Sequence, residues 1–167
     1  MPNGTQLLEQ QALTGDVSVP RRVLFVCTGN TCRSPMAAAL LNHRVGSREI
    51  VPTLTATSAG LYAHEGAPIS QGAEVALREA GIAPRFFASH SATNVSAEAM
   101  READVVLGIT SRHAMELMMR YPEYAAKIEA LPIDIDDPFG GDDDTYRACL
   151  ETLTRALDLR FFAQDPS

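Results

Sequence analysis

Cys27 and Arg33 lie in the run Cys27-Thr28-Gly29-Asn30-Thr31-Cys32-Arg33-Ser34-Pro35. A thiol and a guanidinium at this spacing can meet across one tight loop. The thiol would act as a nucleophile and the guanidinium as a bidentate fork for phosphate. The run follows Val23-Leu24-Phe25-Val26, a β-branched and aromatic stretch that reads as a buried strand. It enters a stretch from Pro35 to Val45 that reads as a helix. A loop wrapped around a helix N-terminus faces unpaired N–H groups and the positive end of the helix dipole, and both favour an anion. Gly29 and Asn30 tolerate positive φ, which lets successive N–H groups turn inward as a nest. Pro35 suits the first helical position and Ser34 the N-cap. A field that binds a dianion also stabilises a thiolate, and Cys27 at the strand end faces it. The Ser34 hydroxyl is placed to hydrogen-bond that sulfur and ease its departure later. Residues Thr28 to Ser34 thus read as an oxyanion cradle that asks for no metal and no other cofactor.

A thiolate that attacks a phosphoryl group needs a separate acid for the leaving group. The chain offers a segment rich in carboxylates. Residues 134 to 144 hold six aspartates and no basic residue. The formal net charge is −7, so −6 of it lies in this segment and the other 156 residues sum to −1. Asp134, Asp142, Asp143 and Asp144 read as a solvated turn, and Asp136 stays open.

The elements that must position these groups follow from patterning. A chain of 167 residues is the length of one domain, and 46% hydrophobic with 21% charged residues is globular composition. Residues 1 to 20 read as a flexible N-terminal tail without the basic and apolar blocks of a secretory signal, and 21 to 167 as the domain. Strands are expected at 23–27, 53–57, 104–109 and 127–132, with Ser58-Ala59-Gly60 ending the second. Helices are expected at 35–45, 68–80, 96–102, 111–120 (capped by Ser111) and 145–162. Pro68 is expected at the start of the second helix, and Gly81 just past its end. Alternating strands and helices predict an α/β domain with a parallel sheet, whose ligands sit beyond the carboxyl ends of strands. No run approaches the length of a membrane span. An acidic chain is a poor partner for nucleic acid. Three cysteines make no disulfide framework and suit the reducing cytoplasm. Four scattered histidines show no zinc spacing, and His43 and His113 are expected to be ordinary helical residues.

Val26-Cys27-Thr28-Gly29-Asn30-Thr31-Cys32-Arg33-Ser34-Pro35 resembles the signature of the low-molecular-weight protein tyrosine phosphatases. Thr57-Ser58-Ala59-Gly60, the G-x-P-x-x-x-x-A pattern from Gly66 to Ala73, the strand from Asp104 to Thr110, and Asp137-Pro138-Phe139-Gly140-Gly141 fall in the family's order. The resemblance covers residues 22 to 162. It implies a single three-layer α/β domain with a four-stranded parallel sheet, order 2-1-3-4, flanked by helices. It also implies hydrolysis of phosphorylated protein substrates through a cysteinyl-phosphate. Cys27 would be the nucleophile, Arg33 the phosphate clamp, and Asp137 the general acid that afterwards activates water. Asn30, Ser58 and His90 match a network behind the loop. His90 stands in His-Ser-Ala-Thr, with Thr93 where the family usually has arginine. Cys32 matches a neighbour that can form a reversible disulfide with the nucleophile.

Thr31 bears on the substrate. Tyrosine-directed members carry a larger aliphatic residue there, and the pattern here resembles the protein arginine phosphatase branch. A phosphorylated guanidinium has extra N–H donors, which a threonine hydroxyl can accept and an isoleucine would leave unsatisfied. Asp137 can hold the guanidinium and then protonate its nitrogen. Phosphotyrosine would instead use an aromatic mouth, and Tyr62, His64 and Phe139 are candidates for one. Phosphoarginine stands ahead and phosphotyrosine stays open. The acidic segment would favour cationic surroundings around the phosphoresidue. An arsenate reductase of the same fold would need two further relay cysteines, and only Cys149 is available. A non-catalytic phosphate-binding module would have little use for Cys27, Arg33 and Asp137 together. The oligomeric state is open.

Overall fold

The computed structural model describes residues 21–48 and 54–162; the expected tail at 1–20 lies outside the described residues. β1 (Arg21–Cys27) runs through the middle of the molecule. Val23, Phe25 and Cys27 face one hydrophobic layer, and Leu24 and Val26 face the other. Burial on both faces explains why this stretch is continuously apolar rather than alternating. α1 (Arg33–Arg48), α2 (Gln71–Glu79) and α5 (Asp143–Leu157) cover the first face. α3 (Ala97–Glu102) and α4 (Ser111–Arg120) cover the second through Met100, Ala114 and Leu117. β2 (Leu54–Gly60), β3 (Val105–Gly108) and β4 (Ile128–Ala130) complete a parallel sheet in the order β2-β1-β3-β4. The domain is therefore the three-layer α/β architecture that the sequence implied.

The chain leaves β1 for β2 on one side and returns to β3 on the other. The crevice beyond β1 and β3 is thus the point where the winding reverses, and ligands of open α/β sheets bind in that position. The loop after Cys27 lies there.

Several boundaries differ from the sequence expectation for physical reasons. α1 begins at Arg33, with Cys32 O accepting from Met36 N at 3.1 Å, so Ser34 is not the N-cap and Pro35 is not the first helical residue. Pro35 is still tolerated, because the first four N–H groups of a helix lack an intrahelical partner. β2 does not stop before Ser58-Ala59-Gly60. It pairs in register to Cys27↔Gly60. The small residues let the strand run close under the loop: a Cβ on Gly60 would sit 2.7 Å from Thr28 O and 3.1 Å from Asn30 Cβ. α2 starts at Gln71, capped by Ser70, while Pro68 lies in an antiparallel bridge to Ser91. Gly81 does end α2, at φ +80, with Ile82 N bonded to Leu77 O and its own N–H to Arg78 O. Thr110, not Ser111, caps α4. α5 ends at Leu157 and passes into one π-type turn, Asp158–Phe162. Among the described residues no helix is long and apolar enough to cross a membrane.

Two glycines separate close packing from simple propensity. A Cβ on Gly46, inside α1, would meet only Phe86 Cζ at 4.0 Å. Gly46→Ala is expected to raise stability by about 0.5–1 kcal/mol. Gly60→Ala is expected to lower it by about 1–3 kcal/mol, because the clash is with backbone. Urea midpoints of the two variants check both signs.

Candidate active site

The loop from Thr28 to Arg33 turns back on itself at Asn30, which has φ +57 and is fully buried. Only a residue that tolerates the left-handed region can stand there, and the asparagine side chain is fully used as well. Its Nδ2 donates to Ser34 Oγ at 2.8 Å and to Ser58 Oγ at 2.9 Å, and its Oδ1 accepts from Thr93 N at 3.0 Å. Its carbonyl accepts from His90 Nε2 at 2.7 Å. Asn30, Ser58 and His90 are therefore brought together behind the loop. The backbone of Thr93 supplies a donor to the same amide, whatever its side chain.

This network ends on sulfur. Ser34 Oγ lies 2.9 Å from Cys27 Sγ, and Asn30 N donates to that sulfur at 3.4 Å. Because Asn30 Nδ2 donates into Ser34 Oγ, the hydroxyl keeps its own proton to give. Its other acceptor, Ala59 O, is 3.5 Å away, so the sulfur is the closer target. Cys27 thus lies within reach of two donors while remaining buried.

Arg33 is also buried. Its Nη1 donates to Ile135 O at 2.9 Å, and its Nη2 lies 3.6 Å from Asp137 Oδ2. One guanidinium therefore ties the loop to the segment that carries Asp137. The half-exposed Asp137 carboxylate also accepts from Phe139 N at 3.2 Å, across Pro138. A cavity of about 240 Å³ results, lined by Cys27, Thr28, Gly29, Asn30, Thr31, Cys32, Arg33, Asp137 and Phe139. Tyr62 and His64 are exposed and lie outside this wall. Tyr62 N bonds to Thr28 O at 2.9 Å, so it stands beside the lip.

Two groups with a part in the site went unread in the sequence. His113 is not an ordinary helical residue. Its Nε2 is 2.9 Å from Thr28 Oγ1, while Thr110 N donates to its Nδ1 at 3.2 Å. The proton must then sit on Nε2 and point at Thr28. Burial, helped by the Arg33 charge, lowers its pKa to about 4, so the ring is neutral at pH 7. The spacing Thr110-x-x-His113 is that of a capping box, with histidine in the place of glutamate, and it was the available signal. Tyr146 is the second. Its hydroxyl is 3.4 Å from Cys32 Sγ, which also donates to Ser70 Oγ at 3.2 Å. Burial and that thiol push the Tyr146 pKa up to about 12.

Asp134, Asp142, Asp143 and Asp144 are all exposed to solvent, but three of them also hold partners. Asp134 Oδ1 accepts from Ser111 N and Oγ, and Asp142 caps α5 through Thr145 N at 2.9 Å. Asp144 pairs with Arg147. Only part of the acidity is left to face a ligand. Cys149 is buried in α5, which pushes its pKa up to about 12, and its S–H points at Asp136 O. All three cysteines are free thiols. Among the described residues no group of three or more His, Cys, Asp or Glu side chains could hold a metal ion.

The arrangement can hold a tetrahedral oxyanion against loop amides and a guanidinium, above a sulfur and beside a carboxylic acid. The sequence matches the low molecular weight phosphotyrosine protein phosphatase model over residues 22–163. A protein-arginine-phosphatase of Geobacillus stearothermophilus is 40% identical over 84% of this chain and 93% of its own length. One from Bacillus subtilis is 34% identical over 81% and 91%. The crystal structure of a low molecular weight protein tyrosine phosphatase from T. tengcongensis superposes with a TM-score of 0.78, at 37% identity, covering 86% of this chain and 99% of that one.

His113 makes stability depend on pH in one direction. Its folded pKa is depressed, so below about 6.5 the unfolded chain takes up a proton that the folded protein refuses until about 4. Stability is therefore lost as pH falls through that window, by up to about 1.4 kcal/mol per pH unit from this group. Thermal midpoints between pH 7 and 4.5 are expected to fall less steeply in His113→Gln than in the wild type.

Proposed function

The chain belongs to the low molecular weight phosphotyrosine protein phosphatase family and is a cysteine-dependent protein phosphatase, and we propose that the phosphoryl group it removes is carried on protein arginine. Arg33 and the loop N–H groups hold the phosphoryl oxygens and stabilise the charge that develops on them. Cys27 Sγ attacks phosphorus while the P–N bond breaks, giving a cysteinyl-phosphate. Asp137 passes its proton to the departing guanidine nitrogen. Water then attacks phosphorus, and Asp137 takes the proton that the water loses. The S–P bond breaks, its electron pair returns to Cys27, and inorganic phosphate leaves. The donor chain from Asn30 through Ser34 to the sulfur supports this role, since it favours sulfur as thiolate both before attack and on departure.

The observation that carries arginine over tyrosine is that Thr31 and Asp137 line the same cavity. A hydroxyl acceptor and a carboxylate suit the N–H groups of a phosphorylated guanidinium. Phosphotyrosine would find the ring of Phe139 on that wall, but Tyr62 and His64 stand outside it. The names of the two curated relatives agree with this choice. A reductase would need mobile relay thiols, whereas Cys149 is buried and held protonated. The reading includes a cytoplasmic enzyme acting on phosphorylated proteins, with three free thiols suited to a reducing compartment.

Thr31→Ile tests the choice. It is expected to lower kcat/KM on an arginine-phosphorylated protein about tenfold to a hundredfold, the cost of an unsatisfied donor. A tyrosine-phosphorylated peptide should change little. Equal losses on both substrates would refute the role.

A further inference from the structure

Among the described residues six large hydrophobic side chains are exposed: Tyr62, Met115, Met118, Met119, Phe139 and Leu159. Scattered apolar residues on a surface need no explanation. These are not scattered. All but Leu159 lie on segments that leave the carboxyl ends of strands, the edge that holds the cavity. Three of them belong to one helix, α4. Its inner face is already satisfied by His113, Ala114 and Leu117. Met115 and Met119, four apart, form a second stripe on the outer face, 64% and 81% exposed.

α4 is bonded to the cavity at its start and to the segment beside the lip at its end. At its start, His113 meets the cavity residue Thr28, and Ser111 meets Asp134 on the segment that carries Asp137. At its end, Arg120 Nη1 donates to Leu61 O at 3.3 Å and its guanidinium stacks 4.8 Å over the Tyr62 ring. Tyr62 N in turn bonds to Thr28 O. These bonds hold α4 and Tyr62 beside the lip through which a phosphorylated residue must enter, with Arg120 also paired to Glu116 at 2.7 Å. Met115 and Met119 lie about 6 Å apart along the helix, a span that an extended chain covers in about two residues.

We propose that Tyr62, Met115 and Met119 form a docking surface for an apolar segment of the substrate protein next to its phosphorylated residue. Methionine side chains are flexible and polarisable and adapt to varied apolar partners, as an enzyme with several clients requires. The proposal rests on the protein phosphatase reading and does not depend on which residue carries the phosphate.

The test uses Met115→Gln/Met119→Gln, which keeps two good helix formers on the outer face of α4. Turnover of p-nitrophenyl phosphate reports on the loop alone and should match the wild type. On a phosphorylated protein kcat/KM should fall about tenfold, through KM with kcat kept. Paired phosphopeptides should show the loss when leucine flanks the phosphoresidue and not when serine does. Arginine- and tyrosine-phosphorylated forms are run together. The wild-type preference between them reports on the substrate reading, and the ratio of variant to wild type reports on docking. Unchanged KM for protein and for the leucine-flanked peptide would overturn the proposal. So would a wild-type dimer that the variant dissolves while KM stays constant, since the stripe would then serve self-association.

Discussion

The side chain of Asn30 is fully buried, and both of its polar atoms are engaged at once. The loop after β1 holds a left-handed residue, which a peptide chain does not keep without help. The help comes from three directions. Ser58 on β2, His90, and the backbone at Thr93 all converge on this one residue. Ser58 sits on β2, which runs without a break under the loop to Gly60, while His90 and Thr93 lie on the irregular segment that leads into α3. The turn aims Asn30 N at the Cys27 sulfur, and the turn is held by the side-chain amide. The same amide sets the direction of the Ser34 hydroxyl, and so the environment of the sulfur.

A second fastening holds the acid loop. Arg33 reaches Ile135 O and Asp137, Asp134 binds the first turn of α4, and Asp142 begins α5. Much of the acidity of residues 134–144 is thereby consumed in attaching this segment to the rest of the domain. The positive field of the loop and the negative charge beside it coexist because the aspartates are mostly turned toward N–H groups and arginines. The preference for cationic surroundings, expected from charge alone, rests on fewer carboxylates than the sequence offered. Thr31 and Asp137 within the cavity bear more directly on the leaving group.

The architecture was legible because its signals are strong and local. A continuous apolar run, a turn-prone Gly-Asn pair and a helix start stand in direct succession at residues 23–35, and strands alternate with helices afterwards. What escaped reading depended on competition between groups. Ser34 looks like a cap, but its hydroxyl belongs to Asn30 and Cys27, and the helix begins earlier without it. Ser111 looks like a cap, but Thr110 takes that place and Ser111 turns to Asp134. His113 looks like an ordinary helical residue because its partner, Thr28, is 85 residues away in the chain. Ser58-Ala59-Gly60 looks like a strand end, yet its small side chains are what allow the strand to continue beneath the loop.

In the proposed mechanism Cys27 takes the phosphoryl group inside this loop while Asp137 manages the protons. The most direct test is to quench Asp137→Ala during turnover of p-nitrophenyl phosphate, whose leaving group needs little help from an acid, and to map the modified peptide by mass. Loss of the base for the second step should leave one phosphoryl group per molecule on Cys27. Continued turnover with no phosphorylated enzyme, or a phosphoryl group on any other residue, would contradict the account.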